Sequence, residues 1–498
     1  MKHVIGVDLG TSSVKVLLVN EQGIVVAEAT EDYPLIHEKA GYSEQDPEHW
    51  VTKTINALKA LVGKANISAD QIEGISFSGQ MHGLVLLDAN HRVIRNAILW
   101  NDTRTTEQCR KITEKLGDKL LSITRNPALE GFTLPKILWV KQYEPQHYEA
   151  AKVFLLPKDY LRYRLTGELH MDYSDAAGTL LLDVGAKQWS RDVCELLDVK
   201  MDLCPPLVES HALVGILLPA IAEQTGLSAQ VKVFAGGADN ACGAIGSGIL
   251  SEGDAMSSIG TSGVILSYEN ELDADYGGKV HFFNHGKENA FYSMGVTLAA
   301  GYSLNWFKQT FAAEESFDKM VAGAQAVKPG SGGLLFTPYL VGERTPHADA
   351  QIRGSFIGMD GSHTRNHFVR AVMEGITFSL QESIDIFRRA GKKVESVISI
   401  GGGAKSELWL QLQADIFDAN VTRLDNEQGP GMGAAMLAAY GCGWFGSLDE
   451  CAGVFIKRVG SYSPNREHAE QYAELFQIYK EVYTQTKPIN ESLMKFRA

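Results

Sequence analysis

Short apolar runs separated by tight turns open the chain, and this pattern predicts strands. Residues 4–8 and 14–20 are apolar and rich in β-branched side chains, and residues 24–30 follow a turn at 21–23. Residues 47–62 then place Trp50, Ile55, Leu58 and Leu61 at helical spacing, which predicts an amphipathic helix. The other predicted elements of the first half are strands at 72–78, 85–88 and 231–235 and a helix at 105–116.

The second half repeats the opening pattern. DLGTSSVKVLLVN at 8–20 and SIGTSGVILSYEN at 258–270 each combine a strand, a Gly-Thr-Ser turn and a second strand. A single match of this length also arises by chance, because strand–turn–strand units are common. Further strands are predicted at 255–259, 264–268 and 394–400, and helices at 367–390, 407–419, 433–440 and 465–484. This alternation is typical of mixed sheets with helices on both faces, so we predict a duplicated α/β fold divided near residue 250.

Composition and charge exclude several classes of protein. The 498 residues carry a formal net charge of −14, which argues against nucleic acid as a partner because that ligand needs a basic surface. The longest nearly apolar stretch, 212–222, contains Gly215 and Pro219 and is too short to span a membrane. Asp8 cuts the first apolar run, so no signal peptide is expected, and the six cysteines form no CxxC pair. These features predict a cytoplasmic protein without a zinc site, disulfides or a membrane partner.

The familiar nucleotide and hydrolase motifs are missing. No GxxxxGK(S/T), GxSxG or HExxH occurs, and GPGMG at 429–433 does not fit GxGxxG. Three glycine-rich turns remain, at 10–13, 260–263 and 401–406, each after a predicted strand. Their backbone N–H groups and hydroxyls suit a phosphate, and two such turns facing each other across a cleft would grip a polyphosphate. Hairpin turns and a strand-to-helix loop with positive φ explain the same glycines, and this alternative stays open.

Two aspartates occupy positions where a carboxylate needs a reason. Asp8 ends an otherwise apolar strand, and beside a phosphate-binding turn its natural partner is Mg²⁺; the alternative is a turn-capping role. Asp239 lies between a strand and a helix, where either a helix N-cap or a catalytic carboxylate is expected. The helix dipole would keep Asp239 ionised and lower its basicity, which is adequate when the proton leaves late in a loose transition state.

Polar and aromatic groups follow two other predicted strands, as QMHG at 80–83 and WNDTR at 100–104. Open α/β sheets bind ligands at strand ends, so these segments are candidates for ligand contacts. The alternatives are that His82 is structural and that Arg104 pairs with Asp102 at the surface.

Together these motifs resemble the FGGY family of carbohydrate kinases, within the larger actin, Hsp70 and sugar-kinase superfamily. The similarity covers the chain from Val4 to about Gly443. It rests on VIGVDLGTSSVK at 4–15, GFTLPKILWV at 131–140, AGGADNACGAIGSG at 235–248, SSIGTSGV at 257–264, GERTPH at 342–347, the stretch 354–375 and SIGGGAKSELW at 399–409. GQMHG at 79–83, ILWNDTR at 98–104, LPKDYLRYRLTGE at 156–168 and YSDAAGT at 173–179 look most like the members that phosphorylate D-xylulose.

The resemblance implies a fold, a reaction and a set of site residues. The fold would be two actin-like, ribonuclease H-like domains around a central cleft, each a mixed sheet flanked by helices. Residues 1–250 would bind the sugar and carry the base, 251–443 would bind the nucleotide, and 444–498 would form a helical extension. The reaction would be transfer of a phosphoryl group from ATP to D-xylulose, giving D-xylulose 5-phosphate, with Mg²⁺ and in a homodimer.

The implied roles fall into three groups. The catalytic residues would be Asp239, as general base, and Asp8, as the residue that positions Mg²⁺. The sugar would be contacted by Met81, His82, Trp100, Arg104, Asp239 and Asn240. The nucleotide would be held by Thr11, Ser12, Gly260, Thr261, Gly402, Gly403 and Ser406.

Other functions stay open from the sequence. A kinase of the same family acting on gluconate, ribulose, glycerol or fuculose is the nearest alternative. A non-enzymatic ATP switch of the actin or Hsp70 kind would leave Asp239 and Met81 with His82 unexplained. A sugar-sensing transcriptional regulator would need a DNA-binding module, and no helix-turn-helix pattern precedes the first strand.

Overall fold

The structure is a computed structural model that describes residues 1–65 and 67–497. It divides into two compact units, each assembled from segments that are distant in the sequence. Unit 1 consists of Met1–Leu250, Phe282–Tyr292 and Gln428–Ile456. Unit 2 consists of Ser251–His281, Ser293–Glu427 and Lys457–Ala498.

The centre of unit 1 is a mixed sheet. From edge to edge its strands are Leu213–Ile216, Lys232–Phe234, Ile72–Gly79, His3–Leu9, Ser13–Asn20 and Val25–Asp32, and Gly237–Ala238 pairs beside Ile72–Gly79. The first three strands of the chain form an antiparallel meander, whereas His3–Leu9 runs parallel to Ile72–Gly79. Short two-stranded ladders add Glu44–Gln45 with Ala97–Ile98, Val85–Leu87 with Val153–Leu155, Met171–Asp172 with Leu207–Val208, and Leu182–Asp183 with Gln188–Trp189.

Helices cover this sheet and extend the unit. The α-helices of unit 1 are Pro47–Ala65, Thr106–Leu116, Asp118–Thr124, Thr133–Tyr143, Pro145–Ala150, Pro157–Thr166, Tyr173–Ala177, Arg191–Leu197, Pro219–Thr225, Asp239–Gly246, Gly429–Gly441 and Leu448–Phe455. Two 3-10 turns, Ala69–Gln71 and Met201–Leu203, complete it.

Both faces of the unit 1 sheet are buried, and neighbouring residues of one strand belong to different cores. Ile5 and Val7 pack with Trp50 and other residues on one face. Val4 packs on the other face with a cluster that includes Met436. Because side chains alternate across a strand, a sheet covered on both faces requires apolar residues at consecutive positions, which explains the unbroken apolar run at the start of the chain.

The helix Gly429–Gly441 approaches its neighbours more closely than ordinary side chains allow. A Cβ atom added to Gly6 would lie 2.1 Å from the carbonyl oxygen of Gly431, and one added to Gly433 would lie 1.9 Å from that of Cys242. Gly6 and Gly433 therefore permit close backbone packing of this helix on the strand His3–Leu9 and on the helix Asp239–Gly246. This packing fixes the helix that begins at Asp239.

A second seven-stranded sheet has the same central arrangement. Its order is His281–Asn284, Phe291–Thr297, Gly263–Glu269, Gly253–Ile259, Val394–Gly401, Asn420–Leu424 and Arg458–Tyr462. The strand Gly253–Ile259 is antiparallel to Gly263–Glu269 and parallel to Val394–Gly401, which repeats the pairing of His3–Leu9 with its two neighbours. The predicted duplicated α/β fold is thus confirmed.

Five α-helices accompany the second sheet among the described residues of unit 2. They are Gly301–Phe311, Phe317–Ala324, Arg365–Arg389, Glu407–Phe417 and Arg466–Leu493. The 3-10 turns are Ser331–Gly333, Gly402–Lys405 and Met494–Phe496, and Leu335–Thr337 pairs with Ser355–Ile357.

The predicted elements are present, although many of their boundaries differ by one or more residues. The strand predicted at 231–235 spans only Lys232–Phe234, since Gly236 turns the chain with a φ of 80°. The helix predicted at 433–440 begins earlier, at Gly429, and the terminal helix continues to Leu493. Within the described residues no helix combines the length and the apolar character needed to cross a membrane.

Candidate active site

Three parallel strand segments of unit 1 end at the same edge of the sheet. Asp8 lies opposite Ser78 in the pairing of the first strand with Ile72–Gly79. Gly237 also lies opposite Ser78, and Ala238 opposite Gly79. Because the carboxyl ends of parallel strands meet at one edge, Asp8, the segment after Gly79 and the segment after Ala238 are brought together.

Asp8 is a partly buried carboxylate whose negative charge is only partly stabilised by its neighbours. Loss of hydration raises its pKa to about 6, while Ser78 and the charge of Lys15 act in the opposite direction. Lys15 stands opposite Asp8 in the neighbouring strand, but its ammonium group also binds Glu28 at 3.2 Å and Gln428 at 2.8 Å. The ionised form of Asp8 is therefore one that a further cation would stabilise.

Asp239 is the first residue of the helix Asp239–Gly246, and Ala238 takes the N-cap position. Its Oδ1 accepts the N–H of Asn240 at 2.6 Å. Loss of hydration and the negative charge of Asp8 raise its pKa to about 7, and the Asn240 hydrogen bond only partly opposes them. The expectation of a lowered basicity was wrong, because desolvation outweighs the favourable helix terminus.

Met81 and His82 follow the central strand and lie beside this helix. The amide of Asn240 donates to the sulfur of Met81 at 3.4 Å. His82 has a left-handed backbone conformation with a φ of 66°, and its Nδ1 lies 2.6 Å from the carbonyl oxygen of Gly178. Since a carbonyl only accepts, Nδ1 carries the proton, and this bond sets the tautomer of the ring. The ring also packs on Phe132, with centroids 4.7 Å apart.

The turn that contains Thr11 and Ser12 accepts hydrogen bonds from three other side chains. The hydroxyl of Tyr33 donates to the carbonyl of Ser13 at 2.8 Å, and the amide of Gln45 donates to the carbonyl of Thr11 at 2.7 Å. Trp100, which is 46% exposed, donates its indole N–H to the hydroxyl of Thr11 at 2.9 Å. The structure thus brings Trp100 to the predicted phosphate turn.

Arg104 is buried in a cage of carboxylates and aromatic rings. Its Nη2 lies 2.6 Å from Asp102, and its Nη1 lies 2.7 Å from Glu44. The guanidinium stacks over Tyr42 at 3.7 Å from the ring centroid and over Trp139 at 4.8 Å. The pairing with Asp102 considered from the sequence is present, although it is buried instead of exposed.

Unit 2 contains a cavity of about 660 Å³ at the carboxyl ends of its own central strands. Gly260, Thr261, Gly402 and Ser406 line it, four of the predicted nucleotide ligands. The remaining lining includes apolar and aromatic side chains together with amides and charged groups: Ile259, Tyr302, Leu304, Asn305, Phe317, Lys405 and Trp409. A cavity of this size and character suits a flat heterocycle with a polar tail.

The glycines around this cavity are needed for different reasons, one for its backbone conformation and others for close packing. Gly401 has a φ of 77°, and Ser406 caps the following helix by accepting the N–H of Trp409 at 3.3 Å. Gly403 packs against Ile259, whose side chain would lie 2.6 Å from an added Cβ. A Cβ on Gly301 would lie 2.4 Å from the carbonyl of Gly260, so the helix Gly301–Phe311 starts directly against the predicted phosphate turn.

The segment YSDAAGT at 173–179 also lies at the candidate site, although the sequence predicted no role for its residues. In the structure its Ser174 hydroxyl accepts the N–H of Ala238 at 2.9 Å, and its Gly178 carbonyl contacts His82. Ser174 in the helix Tyr173–Ala177 thus contacts the residue before Asp239, and Gly178, just after this helix, contacts His82. Asp172 and Asp175 of this region are completely buried, which the sequence alone does not reveal because polar residues lie among them.

The N-terminal domain profile of the FGGY family of carbohydrate kinases matches residues 3–246, and the C-terminal domain profile matches residues 255–442. The chain belongs to the FGGY family of carbohydrate kinases. This FGGY kinase is 63% identical over 497 residues to the xylulose kinase of Bacillus subtilis (strain 168), with 100% of both chains covered. The family predicted from the motifs is therefore confirmed.

Solved structures agree with the fold of this FGGY kinase. A ligand-bound xylulose kinase from Lactobacillus acidophilus matches with a TM-score of 0.93 at 28% identity, covering 98% of this chain and 99% of that one. A gluconate kinase from the same organism matches with a TM-score of 0.92 at 28% identity, covering 97% and 98%. The two mixed-sheet domains flanked by helices are of the actin-like, ribonuclease H-like type, as predicted. As a member of this family the FGGY kinase is an enzyme that uses ATP.

Proposed function

We propose that this FGGY kinase transfers the γ-phosphoryl group of ATP to D-xylulose and produces ADP and D-xylulose 5-phosphate. The observation that carries the proposal is the position of Asp239, a carboxylate with a pKa near neutrality beside Met81 and Asn240 at the edge of the sheet. The 63% identity to a xylulose kinase along the whole chain supports D-xylulose as the acceptor.

Asp239 is proposed as the general base. Its carboxylate accepts the proton of the terminal hydroxyl while that oxygen forms a bond to the γ-phosphorus and the bond between this phosphorus and the ADP oxygen breaks. A pKa of about 7 leaves a large share of Asp239 ionised at neutral pH and gives it more basicity than an ordinary aspartate. Positioning and electrostatic stabilisation would supply most of the remaining rate acceleration.

Met81, His82 and Asn240 are proposed to contact the ketose, and Trp100 to lie at the same site. A fixed tautomer at His82 would present a defined hydrogen-bond pattern to the sugar hydroxyls. The guanidinium of Arg104 already pairs with Asp102 and Glu44, so we propose that it supports the segment 100–104 and reaches the sugar only through that segment.

The nucleotide is proposed to occupy the unit 2 cavity. Thr261 would offer its backbone N–H and its hydroxyl to the phosphates. Gly260, whose own N–H donates to the carbonyl of Ser262 at 3.0 Å, would let the phosphates approach the backbone, and Gly402 and Ser406 would lie along the nucleoside. Gly403 would not contact the nucleotide; its missing side chain would let the turn 401–406 pack closely on Ile259. Thr11 and Ser12 are proposed as phosphate contacts from the family resemblance.

Mg²⁺ is proposed to bind at Asp8, directly or through water. The surroundings of Asp8 fit this ion, because the carboxylate is desolvated and only partly compensated by Lys15, and Mg²⁺ prefers carboxylate and phosphate oxygens. When bound, the ion would neutralise charge on the phosphoryl group that is transferred.

Three broader expectations stay proposals. Residues 1–250 would carry the sugar and base functions and 251–443 the nucleotide function. The proposed helical extension, 444–498, also contains the strand Arg458–Tyr462. A cytoplasmic location fits a reaction that draws on ATP and a small sugar. A homodimer is proposed from the family resemblance alone.

The test is an ADP-release assay of the purified chain with D-xylulose, L-xylulose, D-ribulose, gluconate and glycerol. We expect the highest kcat/KM with D-xylulose; a higher value with another acceptor would replace D-xylulose with that compound. Asp239→Asn is expected to lower kcat by at least about 10²-fold with ATP binding retained. Asp118→Asn is the matched control, because Asp118 is also the first residue of a helix but is exposed. Near-normal turnover of Asp239→Asn would remove Asp239 from the role of base.

A further inference from the structure

A completely buried group of charges lies in unit 1. The ammonium of Lys158 is 2.6 Å from Asp159, 2.9 Å from Asp172 and 3.3 Å from Asp175. All four side chains are inaccessible to solvent. The carboxylate oxygens lie within 4.8 Å of one another, and the cation that they surround is the lysine itself. This cluster is an internal salt bridge network in which the single positive charge of Lys158 lies among three carboxylates.

The network reaches the turn that carries Asp239 through one hydroxyl. The Oδ2 atom of Asp172 accepts the hydroxyl of Ser174 at 2.5 Å and the backbone N–H of Ser174 at 2.9 Å. Because this hydroxyl donates its hydrogen bond to Asp172, its oxygen is left to accept, and it accepts the N–H of Ala238 at 2.9 Å. Ala238 directly precedes Asp239 in the chain.

Arg162 provides a second connection from the same network. Its Nη1 lies 3.0 Å from Asp159 and donates to the carbonyl of Ala235 at 2.8 Å. The segment between Ala235 and Asp239 is thus bound at both ends by groups of the network, a carbonyl at one end and an N–H at the other. Hydrogen bonds that involve charged groups are stronger and more directional than neutral ones, so they suit the fixing of a short loop.

We propose that Ser174 is a positioning residue for Asp239, and that Asp172 and Lys158 hold the Ser174 hydroxyl in the orientation that this role requires. The inference rests on the proposed function, since it assigns Ser174 to the placement of the proposed base. Ser174 is completely buried, so its hydroxyl acts on the reaction only through the backbone of Ala238. Small displacements of a reacting group reduce rates strongly, which makes such a support measurable.

The chain offers a matched control for this role. Ser210 is buried as Ser174 is, and its hydroxyl donates to the same Oδ2 of Asp172 at 2.9 Å. Its hydroxyl has no hydrogen bond to the Ala235–Asp239 segment among the described contacts. Ser174→Ala and Ser210→Ala therefore both remove one hydroxyl from Asp172, and only the first removes the acceptor of the Ala238 N–H.

The experiment measures kcat, KM for ATP and KM for the sugar of the full-length Ser174→Ala and Ser210→Ala chains. We expect Ser174→Ala to lower kcat by about 10- to 100-fold with an unchanged KM for ATP, and Ser210→Ala to retain kcat within about threefold. Equal losses in both variants, or normal kcat in Ser174→Ala, would overturn the proposal. If Ser174→Ala does not fold, Ser174→Cys replaces it, since a thiol keeps the shape of the side chain but accepts hydrogen bonds poorly. The results expected for Ser174→Cys, and those that would overturn the proposal, are the ones given above for Ser174→Ala.

A double-mutant cycle separates this inference from the proposed function. If Ser174 acts through Asp239, Ser174→Ala in the Asp239→Asn background lowers kcat by less than about twofold. An additional loss as large as in the wild-type background would overturn the positioning role. Absence of D-xylulose-dependent ADP release from the wild-type chain would instead contradict the proposed substrate, and the cycle is then run with the acceptor that the wild-type chain uses.

Discussion

Asp8 and Asp239 are electrostatically coupled at the edge of the unit 1 sheet. Loss of hydration is the main reason why the pKa of Asp239 rises to about 7, and the negative charge of Asp8 is the second. Two carboxylates that disfavour each other's ionisation are a common arrangement in catalytic sites, where one of them needs basicity near neutral pH. The first two predictions follow from this pair.

The activity should depend on the ionisation of Asp239. Only the ionised carboxylate accepts a proton, so kcat/KM for the sugar is expected to rise with pH through a midpoint near the pKa of about 7 and to level off above it. In Asp8→Asn the midpoint should move to lower pH, because a charge that raises the pKa of Asp239 is removed, although the rate itself also falls. A flat profile across the range about pH 5.5 to 8.5 in the wild-type chain would contradict the role of Asp239 as base.

The same carboxylate should reduce stability in alkaline solution. A carboxyl whose folded pKa is raised binds its proton more tightly in the folded state, so its contribution to stability is complete below the unfolded pKa of 3.8 and is lost as pH rises towards about 7. Asp239→Asn removes this loss. Urea unfolding is expected to show Asp239→Asn more stable than wild type by at least about 1 kcal/mol at about pH 8, with a smaller gain at about pH 5. A gain of the same size in Asp118→Asn would show that the effect is not specific to Asp239.

Gly178→Ala should affect the sugar and spare the nucleotide. A Cβ at this position would lie 2.9 Å from Nδ1 of His82, so the ring has to move while the backbone φ of −76° accepts alanine. KM for the sugar is expected to rise about tenfold, in the same direction as in His82→Ala, with KM for ATP unchanged. Gly453→Ala is the control, since no atom lies within 4 Å of an added Cβ there. Equal changes in both KM values would indicate a general loss of structure.

Gly301→Ala should have the opposite selectivity. Its Cβ would lie 2.4 Å from the carbonyl of Gly260, which forces the helix Gly301–Phe311 and the turn after Ile259 apart at the wall of the cavity. The affinity for ATP, measured by calorimetry without sugar, is expected to fall by about tenfold or more. Gly361→Ala, where an added Cβ has free space, should bind ATP normally. Unchanged ATP affinity in Gly301→Ala would argue against the cavity as the nucleotide site.

Periodicity was sufficient for the duplicated α/β architecture, whereas the roles of the candidate site residues came from the family resemblance and stay predictions. Strands such as Ile72–Gly79 are short apolar runs bounded by glycine and polar residues. This pattern is contained in neighbouring residues, so it can be recognised without knowledge of the tertiary structure. Asp8 was singled out because a carboxylate at the end of an apolar strand requires a reason. Asp239 was singled out between a predicted strand and a helix, where an N-cap was an equal alternative, and its role as base came from the family resemblance.

Long-range features could not be obtained in the same way. Ser174 and Ala238 are 64 residues apart, and nothing in the local sequence pairs a serine hydroxyl with that N–H group. The pKa of Asp239 was predicted in the wrong direction because the helix terminus is a local feature, whereas desolvation and the charge of Asp8 depend on tertiary structure. The glycines at 429–433 were read only as a failed nucleotide motif, because their neighbours, Gly6 and Cys242, are far away in the sequence.

The close packing of Gly429–Gly441 on the first strand has a consequence for the synthesis of the protein. Val4, Leu17 and Val19 are buried by a helix that leaves the ribosome more than four hundred residues after them. Until that helix emerges, one face of the earliest-made sheet is an exposed apolar surface on the nascent chain. The first unit to be translated is thus among the last to be completed, and shielding of that surface by a chaperone would matter throughout elongation.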